Sequence, residues 1–267
     1  VAPTPVSALL HAVAVVKAGV FAILKIVVYV FGLDLLRETG SSDWLMGVAA
    51  MTILLASLIA LRQDNLKARL AYSTISQLAY IVLGAAMVTP DAILGGGLHI
   101  ATHALGKITL FFCAGAIIVT AHKTEVSQLD GLGRKMPWTM AAFFIGALSI
   151  IGLPPTAGSW SKWLLALGAA EQSPLLVGVL MVSSLLGISY LLPIPIRAFF
   201  FEPAAPHSHA TADDTEQDSE HGHVQPHDHG EAHPLMLVPL CLTALGCVLL
   251  FFYSQHIVAL LRPLVGR

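Results

Sequence analysis

The chain has 267 residues, 56% of them hydrophobic and 11% charged, with a formal net charge of −2 and a mean hydropathy of +0.77. Soluble domains carry about 25% charged residues, so this composition excludes a water-soluble globular protein. Without a basic balance it also excludes a nucleic-acid-binding one. What remains is an all-α, polytopic transmembrane helix bundle in a lipid bilayer.

Seven apolar stretches are expected to span, at about 6–31, 44–61, 68–88, 93–120, 138–170, 174–200 and 235–261. Each reaches the roughly 17–25 residues that a spanning helix needs. One set of connections carries Arg62, Lys67, Arg69, Lys123, Arg134 and Lys135, followed by the long segment after Arg197; the other carries little beyond Arg37, Arg262 and Arg267. The positive-inside rule places the first set in the cytoplasm and the C-terminus outside. The chain opens on Val1, directly in an apolar stretch, with no basic leader and no cleavage site. It is expected to be the C-terminal part of a longer protein rather than to carry a signal peptide.

The first span contains His11, Lys17 and Lys25. Lys25 lies near an end and is read as a snorkelling anchor. Lys17 has apolar residues for more than two turns on both sides, which favours a functional lysine over an anchor. His11 is open between a packing histidine and a relay group. The second span reads as packing. The third begins with Lys67 and Arg69, read as anchors at the cytoplasmic end, and continues through the polar run Tyr72-Ser73-Thr74-Ile75-Ser76-Gln77-Leu78-Ala79-Tyr80. Such side chains either bond between helices or line a hydrated cavity.

The fourth span holds His99, His103 and Lys107, each four residues after the last. Positions i, i+4 and i+8 advance by only about 40° per step, so the three side chains form one stripe. A lysine at the centre of a bilayer costs roughly 2.5–3.5 kcal/mol to insert, and such groups usually face a bundle interior. Two imidazoles and an amine in a row read as a proton relay. A lysine in water holds its proton up to about pH 10.4, and burial can lower that by up to roughly 3–5 units. Gly95-Gly96-Gly97, one turn before His99, either permit bending there or allow close packing.

The fifth span is interrupted by Leu153-Pro154-Pro155 and resumes through Ser161 and Lys162. Two prolines remove two backbone donors and must break the helix, and freed carbonyls at that depth survive only inside protein or facing water. Lys162 either bonds those carbonyls or exchanges protons, and a second deep lysine in Lys107 favours the latter. In the sixth and seventh spans, Pro193 and Pro195 are expected to kink a helix end, and His256 reads as interfacial.

Residues 203–233 are rich in Pro, His and acids and are expected to form a disordered cytoplasmic loop. His207, His209, His221, His223, His227, His229 and His233 are weak candidate ligands for Zn²⁺, Ni²⁺ or Cu²⁺, in a spacing that fits no closed structural site. A metal-handling membrane protein is therefore an alternative of a different class. It is opposed by deep lysines that repel a cation and by spans without a central Asp or Glu. Cys113, Cys241 and Cys247 lie in apolar spans without ligand spacing and read as small hydrophobes. Neither a thiolate cluster nor a nucleotide-binding glycine motif occurs, so no cofactor is expected.

Four stretches together resemble one superfamily: Pro3 to His11, Lys67 to Gln77, His99 to Lys107, and Gly152-Leu-Pro-Pro155 through Lys162. They are similar to the antiporter-like subunits of respiratory complex I, Mrp cation/proton antiporters and membrane-bound hydrogenases. The resemblance implies two inverted five-helix repeats, each with a broken helix. Residues 1–33 would then be the last helix of a first repeat, 34–202 a second repeat and 234–267 an additional helix. It also implies proton-pathway roles for Lys17, Lys107 with His99 and His103, and Lys162. Other expectations are a bacterial inner-membrane location, partner membrane subunits, and protons with a monovalent cation such as Na⁺ as the transported species. The sequence around Lys17 leans towards the Mrp D-type subunit, with a redox-driven proton pump as the alternative.

Overall fold

Helix boundaries fall where the local chemistry demands them. Pro90, Pro137, Pro174 and Pro234 each stand at the start of a helix, where a missing N–H costs nothing. Asn65 caps another, its side chain accepting from the Ala68 N–H at 3.1 Å, a contact that satisfies one of the orphan donors of the first turn.

The computed structural model describes residues 15–202 and 230–266. Helix α1 (Val15–Lys25) continues through wider π-helical turns over Ile26–Phe31 and, past Gly32, bends by 83° into α2 (Leu33–Thr39). There follow α3 (Asp43–Arg62), α4 (Leu66–Ala86), α5 (Pro90–Ala121), α6 (Leu132–Lys135), α7 (Pro137–Ile151), α8 (Gly158–Gln172), α9 (Pro174–Leu191), α10 (Pro193–Phe200) and α11 (Pro234–Leu261). Extended pairing among the described residues is limited to one isolated bridge, Asn65 with Glu125.

Each of the seven expected stretches is mainly helical over its described residues, the fifth being interrupted at residues 152–157. Among the described residues, four helices are long and apolar enough to cross a membrane unaided, in Asp43–Arg62, Pro90–Ala121, Pro174–Phe200 and Pro234–Val265, and the bent first pair makes a fifth if taken as one span. Helix α4 has 21 residues but carries the polar run, and it is sheathed by its neighbours: Ser73, Thr74, Ser76 and Gln77 are all buried. The fifth stretch is two helices of 15 residues each. At 1.5 Å per residue neither reaches across roughly 30 Å of hydrocarbon alone.

Helix α5 is the hub, packed against α1, α4, α7, α8 and α11. Its apolar lining joins Leu110, Phe111, Ala114 and Ile117 to Phe143 and Tyr190 in one core cluster. The outward faces of α3, α9 and α11 show Trp44, Met51, Leu55, Met181, Leu185, Leu242 and Phe252. An apolar surface of this extent belongs in lipid or against other subunits. Lys25 lies on the exposed side of α1, over the rings of Phe21 and Tyr29 at 5.7 and 5.9 Å, as expected for a snorkelling residue.

One open reading is decided and another changes. The triple glycine does not loosen the start of α5, which begins earlier, at Pro90, and runs unbroken. Glycine is needed there for contact: a Cβ on Gly95 would stand 2.7 Å from the Leu165 nitrogen, and one on Gly97 2.8 Å from Leu261 Cδ1. Arg69 is not a free anchor either. It is buried and donates to the carbonyls of Gln63 at 2.7 Å and Tyr190 at 3.1 Å, tying the start of α4 to the end of α9.

At the same end of the bundle, Arg197 donates to both carboxylate oxygens of Asp130 at 2.7 and 2.9 Å. This bond holds the Asp130 carboxyl below its ordinary range. A depressed folded-state value contributes stability above the unfolded pKa, near 3.9, and loses it as pH falls through the folded value. In detergent, the thermal midpoint of Asp130→Asn should therefore lie below wild type at neutral pH, with the gap closing below about pH 4. A gap that persists unchanged in acid would show that this ion pair is not its source.

Candidate functional site

The break between α7 and α8 organises the site. Helix α7 ends at Ile151, residues 152–157 are non-helical, and α8 resumes at Gly158, so the interruption at Pro154 and Pro155 is present as expected. The broken segment is held by its neighbours: the Ala157 N–H donates to the Cys247 carbonyl of α11 at 3.1 Å, and Thr156 Oγ1 to the Leu153 carbonyl at 2.6 Å. Lys162 reaches back from α8 and donates to the freed Ile151 carbonyl at 3.0 Å, and to Ser184 Oγ of α9 at 3.3 Å.

The stripe on α5 faces inwards. Lys107 has no exposed surface and His99 and His103 are 1% exposed. Lys107 Nζ donates to the Leu70 carbonyl of α4 at 2.8 Å and to Ser73 Oγ beside it. The rings of His103 and His99 are stacked with centroids 5.8 Å apart. His99 Nδ1 lies 2.9 Å from Ser161 Oγ, which fastens the stripe to α8. Beyond His99 comes the Tyr80 ring, stacked at 5.8 Å, and the ammonium of Lys162 lies 4.8 Å from the centre of that ring. Ring contacts thus run from His103 through His99 and Tyr80 to Lys162 at the helix break, with Lys107 one helical turn beyond His103 on the same stripe.

Lys17 approaches from α1. It is 7% exposed and lies within electrostatic reach of His99, His103 and Lys107. Lys17 Nζ, His99 Nε2 and both ring nitrogens of His103 are buried without a protein hydrogen-bond partner. Buried polar atoms are normally satisfied by protein or water, so this concentration along one row leaves it free to bond water or pass a proton. Among the described residues no carboxylate pairs with any of the three lysines. A cavity of about 730 Å³ opens beside the break, lined by Tyr80, Lys162 and Ser184 with Trp160, Trp163 and Phe251.

The structure therefore brings together Lys17, His99, His103, Lys107 and Lys162. His11 lies outside the described residues, as do His207, His209, His221, His223, His227 and His229. His233 caps α11, its Nδ1 accepting from the Leu235 N–H at 3.3 Å. Two residues earlier Glu231 is ordered against α7, accepting from the Trp138 N–H and the Thr139 hydroxyl, both at 2.7 Å. No group of three metal-ligating side chains occurs among the described residues. Sequence reasoning passed over Tyr80, Ser161 and Ser184 as individuals. Tyr80 carried the signal of a polar run and Ser161 that of a neighbour of Lys162 past the break, while Ser184, in a span with little polar content, carried none.

Fold and site define a class: a helical membrane subunit in which a broken helix meets a buried lysine–histidine row. The chain belongs to the family described as NADH:quinone oxidoreductase/Mrp antiporter, TM, which it matches over residues 1–188. It is 36% identical over 262 residues to NADH-quinone oxidoreductase subunit N of Desulforudis audaxviator, covering 96% of this chain and 50% of that protein. Hydrogenase-4 component B of Escherichia coli is 39% identical over 177 residues, 61% of this chain and 25% of that one. Among solved structures, a chain of the Mrp complex from a Dietzia species superposes with a TM-score of 0.81 at 25% identity, covering 98% of this chain and 53% of that one. Respiratory complex I from Thermus thermophilus shares the fold, with a TM-score of 0.75 at 23% identity over 93% of this chain and 48% of its own. The chain thus spans about half the length of these full-coverage relatives.

Proposed function

We propose that this chain conducts protons laterally near mid-membrane, from Lys17 through Lys107, His103 and His99 to Lys162, as the transport part of a larger membrane complex. The observation that carries the reading is the series of contacts from His103 through His99 and Tyr80 to Lys162 at the helix break, with the fully buried Lys107 one helical turn from His103 on the same stripe. An ammonium taken out of water holds its proton less tightly, which suits it to pass the proton on. Adjacent lysines repel each other's charge, so protonation arriving at Lys17 helps to expel the proton from Lys107. The histidine nitrogens that lack protein partners supply the stepping points, with water bridging gaps too long for a direct bond. Residues 34–202 act as one repeat in this scheme, with an opening near the cytoplasmic start of α4 and another outwards at the cavity by Lys162.

Two assemblies fit. The 36% identity to an NADH-quinone oxidoreductase subunit over nearly the whole chain favours a redox-driven proton pump. The match to the Mrp complex structure supports the other, exchange of Na⁺ or another monovalent cation for H⁺. Inverted vesicles from antiporter-deficient cells that express the complete operon separate them. A ΔpH that collapses on adding Na⁺ or K⁺ establishes antiport. A ΔpH that ignores both ions but builds when NADH and a quinone are supplied establishes the redox-coupled pump. If neither treatment moves the ΔpH in vesicles containing the assembled complex, the transport reading fails.

A further inference from the structure

Tyr80 stands between the histidines and Lys162, and the relay above assigns it no part. It is 1% exposed. Its hydroxyl donates to the Leu180 carbonyl of α9 at 3.3 Å, which pins the ring against a neighbouring helix. The ring stacks on His99 at 5.8 Å with 23° between the planes, and the Lys162 ammonium lies over it at 4.8 Å. A cation within about 6 Å of a ring centre is attracted by the ring quadrupole, most strongly where water is excluded. A neutral amine has no such attraction. The contact therefore distinguishes the two protonation states of Lys162, which its hydrogen bonds to the Ile151 carbonyl and Ser184 Oγ do far less.

We propose that Tyr80 is a positioning residue whose aromatic face seats the protonated Lys162 amine beside His99 and frees it once the proton has left. The proton arrives from the histidine row, the ammonium is held over the ring, and the deprotonated amine relaxes towards the break and the cavity. An N–H bond forms at the Lys162 amine as the donor's bond to that proton breaks, and it breaks again when the proton leaves, so one proton enters and one leaves. The inference rests on the relay proposed above and adds what keeps its last member in register.

The test uses the assembled complex in vesicles and reads the proton-translocation rate. Tyr80→Phe keeps the ring and loses only the hydroxyl's interactions, with the Leu180 carbonyl and with Ser183 and Ser184, so it should run within about threefold of wild type. Tyr80→Leu removes the ring and should slow the rate by roughly ten- to thirtyfold. Packing is separated from electrostatics by placing phenylalanine with one, two or three ring fluorines at position 80. These keep the shape while weakening the negative face, and the rate should fall step by step. A flat fluorine series, or Tyr80→Leu running at the rate of Tyr80→Phe, overturns the proposal; if Tyr80→Leu does not assemble, the fluorine series decides. Lys162→Ala tells the two failures apart. A wild-type rate in Lys162→Ala overturns the relay and this proposal together. Lost transport in Lys162→Ala with a flat fluorine series overturns the role of Tyr80 alone.

Discussion

Lys107→Ala should abolish proton-coupled transport while the complex still assembles. Lys107 is the fully buried cation at the inner end of the row, and no other ionisable group on α5 lies between it and His103. Removing a positioned proton donor typically costs 10²–10⁴-fold, so residual transport should be about 1% or less. Assembly should survive because the lysine's partners keep other bonds. The Leu70 carbonyl still accepts from Ser73 Oγ and Thr74 Oγ1, both at 2.9 Å, and a buried charge is removed together with its volume. Lys107→Arg sharpens the test. It keeps the positive charge, but a guanidinium does not give up its proton and is too broad for a site fitted to one amine. It should therefore fail as completely as Ala. Transport at the wild-type rate in either assembled variant would remove Lys107 from the path.

The largest expected effect on stability is at Gly158. A Cβ built there would stand 1.8 Å from the Ser149 carbonyl oxygen and 2.9 Å from its carbon. The obstruction is backbone in α7, not the end of a flexible side chain, so the two halves of the broken span must separate to admit one methyl group. Gly158→Ala should cost about 3 kcal/mol or more, at the upper end of overpacking penalties. The damage should also reach the site. Moving α8 draws Ser161 from His99 and Lys162 from the Tyr80 ring, so the surviving fraction should transport poorly. Gly178→Ala, on α9 with open space around it, is the control; by removing a flexible helix residue it should be neutral or slightly stabilising. Equal thermal midpoints for the two variants in detergent would refute the close crossing at Gly158.

Much of the architecture follows from local rules. Proline and cap residues stop and start helices wherever they stand, which is why the start at Pro174 and the interruption at Pro154-Pro155 are legible in the chain, while the start of α5 at Pro90 lies three residues before the expected 93. The period of 3.6 residues places His99, His103 and Lys107 on one stripe whatever surrounds them. Insertion cost marks Lys17, Lys107 and Lys162 as groups that need a reason to be there. Membership of the NADH:quinone oxidoreductase/Mrp antiporter family, carried by four motifs in order, agrees with these features.

Which neighbour meets each stripe is a different matter. Ser73 is 34 residues from Lys107, and Ser161 is 62 from His99; no local preference encodes such pairings. Arg69 read as an anchor because an arginine at a helix end usually reaches for water, but here two backbone carbonyls supply its bonds inside the bundle. The glycines before His99 read as open to bending because a missing Cβ also loosens a helix. Only the approach of Leu165 and Leu261 shows that close packing accounts for Gly95 and Gly97. Periodicity, breakers and buried charge thus establish a membrane bundle with a broken helix and an inward-facing cationic stripe. Tertiary packing alone makes Tyr80 the link between that stripe and Lys162, because a ring's value to a cation depends on where the fold puts the cation.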